Sequence, residues 1–289
     1  MRFSAKLRIY SSSDLLGPPS KSPLGRFFVM LRLMEKIKVK TPKGNIAAVI
    51  HSTANHSDRL AILCPGYLDT KDYAHLVFLA EDLAMQGYSA VRFDPIGTWE
   101  SEGNIEDYTV TQELEDIKSI IDFMLNRQPY PNIVVGGHSR GGLISVIYAS
   151  KDKRVTEVLA IMSPYALVRT VNIGKIAKWK QEGSRKSIRD IPNSKDQKEF
   201  NVPYSDIEDS EQYDVLDIVS KLQIPLIFVA GEKDDVIPVE DVKKFYDRAI
   251  QPKELIVVEG IDHNYRHHPD EIDKVNKLII QALNDHKTI

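Results

Sequence analysis

The sequence predicts an α/β fold, a mostly parallel open sheet with helices on both faces, and three observations predict it. Six short runs, at 60–63, 90–93, 133–135, 158–161, 226–229 and 255–258, are mostly apolar and do not alternate. Runs of that kind suit strands buried on both faces of a parallel sheet. Between them lie segments of helical periodicity at about 73–86, 111–126, 141–150, 239–249 and 270–284. The second is the clearest, with Leu114, Ile117, Ile120, Ile121 and Met124 at helical spacing and Glu113, Glu115 and Lys118 on other faces. Strand and helix in alternation imply right-handed βαβ units and a covered sheet.

The remaining elements follow in chain order. Residues 1–33 carry Arg2, Lys6, Arg8, Lys21, Arg26 and Arg32 against the single acid Asp14, with many serines. That pattern reads as a flexible tail or an early start codon, with a transit peptide as the alternative. The corresponding expectation for location is cytoplasmic, or organellar if this segment is a leader. Residues 36–40 alternate strictly, Pro42, Lys43 and Gly44 supply turn chemistry, and 46–50 run back, so an antiparallel hairpin precedes the parallel sheet. The core is expected over 34–164 and 216–289. Residues 165–215 interrupt the rhythm after the sixth strand, with a basic stretch (Lys175 to Lys180, Arg185, Lys186, Arg189) followed by an acidic one. A segment this long inside a compact domain is expected to form a small cap.

Whole-chain properties narrow the function. At 289 residues the chain suffices for one catalytic domain with an inserted subdomain. A net charge of −3 supplies no electrostatic reason for nucleic acid or an anionic membrane as partner. No run approaches the roughly 18–20 apolar residues of a spanning helix. A single cysteine, Cys64, excludes an intramolecular disulfide. No cluster of metal-ligand spacing stands out, and the expectation is neither metal nor cofactor. Oligomeric state is left open.

The strongest local signal is Gly137-His138-Ser139-Arg140-Gly141, a G-x-S-x-G set directly between the apolar run 133–135 and a helical pattern beginning near Gly142. A serine there occupies a strained strand-to-helix turn that lifts its hydroxyl above the sheet and aims the first helical N–H groups at any charge formed nearby. His138, immediately before the serine, points away and is expected to pack. A serine hydroxyl needs a base, and a histidine base needs its other ring nitrogen held by a carboxylate. In this chain order the acid precedes the histidine, and both sit on loops after late strands. The run 226–229 is followed by Gly231, Asp234, Ile237 and Pro238, and the run 255–258 by Gly260 and His263. Of eight histidines only His263 has that position. His267 and His268 read as a solvated loop and Asp262 as a capping carboxylate.

On these motifs residues 35–289 resemble the α/β-hydrolase superfamily. Gly231 to Asp234, ending in Ile237-Pro238, looks like the family's acid loop, and Gly260 to His263 like its histidine loop. The resemblance implies Ser139 as nucleophile, His263 as base and Asp234, ahead of Asp235, as the orienting acid. It also implies an oxyanion hole from the backbone N–H groups of Arg140 and Tyr67, the latter in a Cys64-Pro65-Gly66-Tyr67 loop that replaces the usual His-Gly. Asp94, Gly97, Ser101 and Gly103 match a further family loop, read as support for the elbow, with Ile96 and Trp99 in place of the usual Arg and Gly. Trp99, Trp179 and Tyr204 are candidates for touching substrate. The short chain and small cap are most similar to carboxylesterase and cinnamoyl- or feruloyl-esterase members. The expected function is therefore cleavage of a small-molecule acyl ester through an acyl-enzyme, with activity rising from acid to neutral pH as an imidazole base loses its proton. Amide, acyl-peptide or thioester cleavage on the same triad stays open, as does a silent binding protein on the same fold. Ser139 argues against the dehalogenase and dienelactone-hydrolase relatives, whose nucleophiles are Asp or Cys.

Overall fold

In a computed structural model the chain is described over residues 6–10, 34–52, 57–170 and 173–286. The first hairpin pairs β2 (Met34–Thr41) with β3 (Gly44–His51) across a two-residue turn at Pro42 and Lys43. Then come β4 (Arg59–Cys64), α1 (Ala74–Met85), β5 (Tyr88–Phe93), α2 (Val110–Arg127), β6 (Asn132–His138), α3 (Arg140–Lys151) and β7 (Glu157–Ile161). Beyond the insertion the core resumes with α6 (Val215–Val219), β10 (Leu226–Gly231), α7 (Val239–Arg248), β11 (Lys253–Val258) and α8 (Pro269–His286). Each of the six apolar runs is a strand, and each helical pattern is a helix to within a residue or two.

One strand was not expected. Residues Lys6–Tyr10, which the sequence places in the N-terminal extension, form β1 and pair in parallel with β11 at the sheet edge. A leader cleaved near residue 33 would remove this strand. The rest of that extension lies outside the described residues. The sheet order is β1-β11-β10-β7-β6-β4-β5-β3-β2, with only β3 running against the rest.

Strand periodicity explains why the central strands are mostly apolar. On β4, Leu60 and Ile62 join the core on one face with α2, α3 and α7, while Ala61 and Leu63 join the core on the other with α1 and α8. A strand covered on both sides has no wet face on which to alternate. Helix α2 is capped at its start by the Thr109 hydroxyl, which accepts from the Gln112 N–H, and buries the predicted stripe from Leu114 to Met124.

The insertion contributes α4 (Ile173–Glu182), the antiparallel pair β8 (Ser184–Asp190) and β9 (Gln197–Pro203), and α5 (Ser205–Ser210). Trp179, Phe200, Val202, Tyr204 and Ile207 are buried in the same core as α2 and α3, so this segment is welded to the domain. No helix of the described residues is long and apolar enough to cross a membrane.

At the amino ends of the strands, far from Ser139, His286 Nδ1 lies 2.6 Å from Glu157 Oε1, and its Nε2 lies 3.5 Å from the Glu254 carboxylate. Burial alone would lower this imidazole, but the two carboxylates outweigh it and raise it to about 9. A group raised on folding stabilises fully below its unfolded value, about 6.5, and loses that contribution as pH climbs through the folded one. His286→Ala is therefore expected to lose about 1 kcal/mol near pH 6, a figure reduced for solvent screening. The gap to wild type should close by about pH 9.5 in urea unfolding. A gap that is independent of pH would mean that His286 acts by packing alone.

Candidate active site

Ser139 joins β6 to α3 with φ 54° and ψ −121°, a left-handed conformation that non-glycine residues avoid. Its neighbours make the turn possible. A Cβ on either Gly137 or Gly141 would stand 2.1 Å from the Cys64 carbonyl oxygen, so both positions require glycine. The Ser139 N–H donates to Ile161 O at 2.8 Å, and the Ser163 hydroxyl donates to Ser139 O at 3.0 Å, which anchors the strained turn on β7 and the loop after it.

The three residues predicted to act together are together. His263 Nε2 lies 3.1 Å from Ser139 Oγ, and His263 Nδ1 lies 2.8 Å from Asp234 Oδ2. All three are buried, at 8% exposure for Ser139 and His263 and 5% for Asp234. The other carboxylate oxygen of Asp234 accepts the Val236 and Ile237 N–H groups at 2.9 and 2.7 Å, which holds the carboxylate in place. Asp235 is exposed. Asp262 accepts the Asn264 N–H at 2.7 Å, as a capping carboxylate does, and His267 and His268 are exposed.

Tyr67 and Arg140 both line a cavity of about 230 Å³ with Ser139 and His263. Arg140 opens α3, so its N–H belongs to the unpaired first turn of that helix. The loop that continues from Tyr67 is tied down from below. Asp94 is fully buried and accepts from the Thr70 hydroxyl, the Lys71 N–H and the Lys71 ammonium at 2.9, 2.8 and 3.0 Å. The Asp94 loop thus supports the loop that carries Tyr67, one step away from the elbow.

The structure separates the three aromatic candidates. Trp179 lines the cavity, with its Nε1 donating to Val202 O at 2.9 Å. Trp99 is not among the lining residues. It packs between Tyr73 and Phe200, at ring distances of 6.1 and 5.6 Å, and donates to Leu68 O. Tyr204 is not among them either, and its ring meets the edge of Trp179 at 6.2 Å. Both were candidates for touching substrate, and in the structure both pack where the insertion meets the core.

Two features were not read from the sequence. The first is the Arg140 side chain, which is fully buried. It donates to Glu113 Oε1 at 2.6 Å and to both Asp206 oxygens at 2.9 and 2.7 Å, with the guanidinium 4.5 Å from the Tyr108 ring centre. The residue after Ser139 therefore bolts the elbow to α2 and to the insertion.

The second feature is a buried group behind His263. The His138 ring lies 4.6 Å from the His263 ring, and Asp69 Oδ2 lies 3.9 Å from both His138 Nδ1 and His75 Nε2. Burial keeps His75 down at about 4 and His138 well below its ordinary range, so both are neutral. For Asp69, burial is outweighed by Arg266, which donates to Oδ1 at 2.6 Å, and the carboxyl is held well below the usual range. The potential ligand atoms of Asp69, His75 and His138 lie within 4.8 Å of one another, a juxtaposition absent from the sequence spacing. The Arg266 charge already on Asp69 opposes a second cation there.

A family model described as serine aminopeptidase, S33 matches residues 55–220. Among curated proteins, the human protein named palmitoyl-protein thioesterase ABHD10, mitochondrial, is 25% identical over 226 residues, covering 78% of this chain and 71% of its own length. An uncharacterised 31.7 kDa protein of Escherichia coli is 23% identical over 240 residues, covering 72% of this chain and 80% of its own. Among solved structures, Est1E from Butyrivibrio proteoclasticus with ferulic acid bound superposes with a TM-score of 0.70 at 19% identity, covering 88% of this chain and all of its own. Mouse ABHD10 superposes with a TM-score of 0.69 at 20% identity, covering 87% of this chain and 99% of its own. At such identities these two likenesses speak to the fold.

Proposed function

Since the chain belongs to the serine aminopeptidase S33 family of α/β-hydrolases and is a hydrolase, we propose that it cleaves carboxylic esters and thioesters through an acyl-enzyme on Ser139. Ser139 Oγ attacks the acyl carbon while His263 Nε2 takes the hydroxyl proton. Asp234 holds the imidazole in the tautomer that leaves Nε2 free and stabilises the imidazolium that forms. The carbonyl oxygen, now an oxyanion, is met by the Arg140 and Tyr67 amides. The His263 proton passes to the departing alkoxide or thiolate as the tetrahedral adduct collapses. Water, deprotonated by the same histidine, then hydrolyses the acyl-serine. The insertion, with Trp179 over the cavity, acts as the cap.

The observation that carries this reading is the line Ser139–His263–Asp234, at 3.1 and 2.8 Å, on a serine held at φ 54°. The thioester part rests on the name of the ABHD10 relatives. The test is labelling with a fluorophosphonate followed by peptide mass analysis, then turnover of p-nitrophenyl esters from acetate to long chains. Adduct on Ser139 alone, with ester turnover that the label blocks, is expected. A folded protein that takes no label would sink the reading and favour a silent binding protein.

A further inference from the structure

The cavity over Ser139 carries more positive charge than its surroundings neutralise. Arg140, Arg185, Arg189 and Arg266 all line it, and among the described residues Asp206 is the only acid that does so. Two of these guanidiniums are spoken for. Arg140 is held by Glu113 and Asp206, and Arg266 by Asp69. Arg185 and Arg189 have no carboxylate partner among the described residues. The Arg185 guanidinium lies 5.5 Å from the Trp179 ring centre, and that of Arg189 lies 5.4 Å from the Tyr67 ring centre. Arg189 also donates to two backbone carbonyls, Tyr67 O and Ile188 O, which orients it without cancelling its charge.

The local sequence explains the placement. Arg185, Ser187 and Arg189 alternate along β8 and so share one face, and all three are sheltered. Lys186 and Ile188 on the opposite face are exposed. The strand turns its two arginines toward the cavity and sends Lys186 outward to Glu199. Stacking on an aromatic ring is weak neutralisation, and a guanidinium that keeps N–H groups unspent in a half-buried site attracts a planar oxyanion through a forked pair of bonds. Among the described residues no lysine lines the cavity.

We infer that this cavity takes an ester or thioester whose acyl chain ends in a carboxylate, with Arg185 and Arg189 as the residues that select it. The inference rests on the acyl-transfer reading above and adds the substrate class. Arg185 and Arg189 bind; the bond-breaking groups stay Ser139, His263 and Asp234.

The test compares kcat/KM for the mono-p-nitrophenyl ester of glutaric acid with that for p-nitrophenyl pentanoate, which matches it in length without the charge. Wild type is expected to favour the glutarate ester at least about 10-fold at low ionic strength, and less at 0.5 M salt as screening shortens the reach of the arginines. In the Arg185→Gln, Arg189→Gln double variant the ratio should fall to about one. The corresponding double lysine variant should recover part of it, since charge returns without the fork. Lys186→Gln, which removes a charge from the outer face of the same strand, should keep the wild-type ratio. Equal turnover of both esters by wild type, or a ratio unmoved in the double glutamine variant, would overturn the inference and leave the esterase reading standing. Failure to cleave either ester, with Ser139 unlabelled, would remove both.

Discussion

Asp234→Asn is expected to lower kcat on p-nitrophenyl esters by about 10⁴-fold while the protein stays folded. The size of the effect follows from how the carboxylate is held. One oxygen of Asp234 accepts the Val236 and Ile237 amides, so the oxygen of an asparagine would be retained there as acceptor. The asparagine NH₂ would then face His263 Nδ1, where Asp234 Oδ2 now accepts at 2.8 Å. An imidazole that must accept at Nδ1 carries its proton on Nε2, and that nitrogen can no longer take the Ser139 proton. About 5.5 kcal/mol of barrier corresponds to such a loss. Turnover of p-nitrophenyl esters and the rate of fluorophosphonate labelling should fall together, with an unchanged unfolding transition. A loss below 10-fold would show that Asp234 does not orient the base.

Removing the Arg140 side chain should have the largest effect on stability. Arg140→Ala is expected to cost about 3–5 kcal/mol, because it strands Glu113 and Asp206 as buried acids without their cation. That is a large share of the roughly 5–15 kcal/mol that holds a typical domain together. The urea midpoint should drop accordingly, and the insertion should become susceptible to protease at lower denaturant than the core. Glu113→Gln serves as the contrast. Burial, with Asp206 nearby, overcomes the pull of Arg140 and pushes the Glu113 carboxyl up to about 8. Wild type therefore loses stability as pH rises from about 4.5, the unfolded value, through 8, and the glutamine variant does not. The variant should match wild type near pH 4.5 and gain on it toward pH 8. An Arg140→Ala protein as stable as wild type would show that the buried ion group contributes nothing net.

Much of the framework was legible because its signals are local. A strand buried on both faces is apolar at most positions, so 60–63 or 226–229 announce themselves without knowledge of their neighbours. The elbow is legible for a steric reason, since only glycine at 137 and 141 clears the Cys64 carbonyl. Chain order placed Asp234 and His263 on loops at the same end of the sheet, and a parallel sheet brings all such loops together. β1 escaped notice because its sequence, Lys-Leu-Arg-Ile-Tyr, lacks an apolar run.

By itself, then, the sequence determined the α/β framework, the turn that strains Ser139, and which acid and histidine end up beside it. Those depend on periodicity, glycine sterics and strand order, all written along the chain. Only the tertiary structure decided that Trp99 and Tyr204 pack while Trp179 faces the cavity. It also decided that the Arg140 side chain spans 66 positions to Asp206, and that Arg185 and Arg189 line the cavity over Ser139 with no carboxylate partner among the described residues. The physical reason is that charge balance and burial are properties of a place, and the residues that share that place come from segments far apart in the chain.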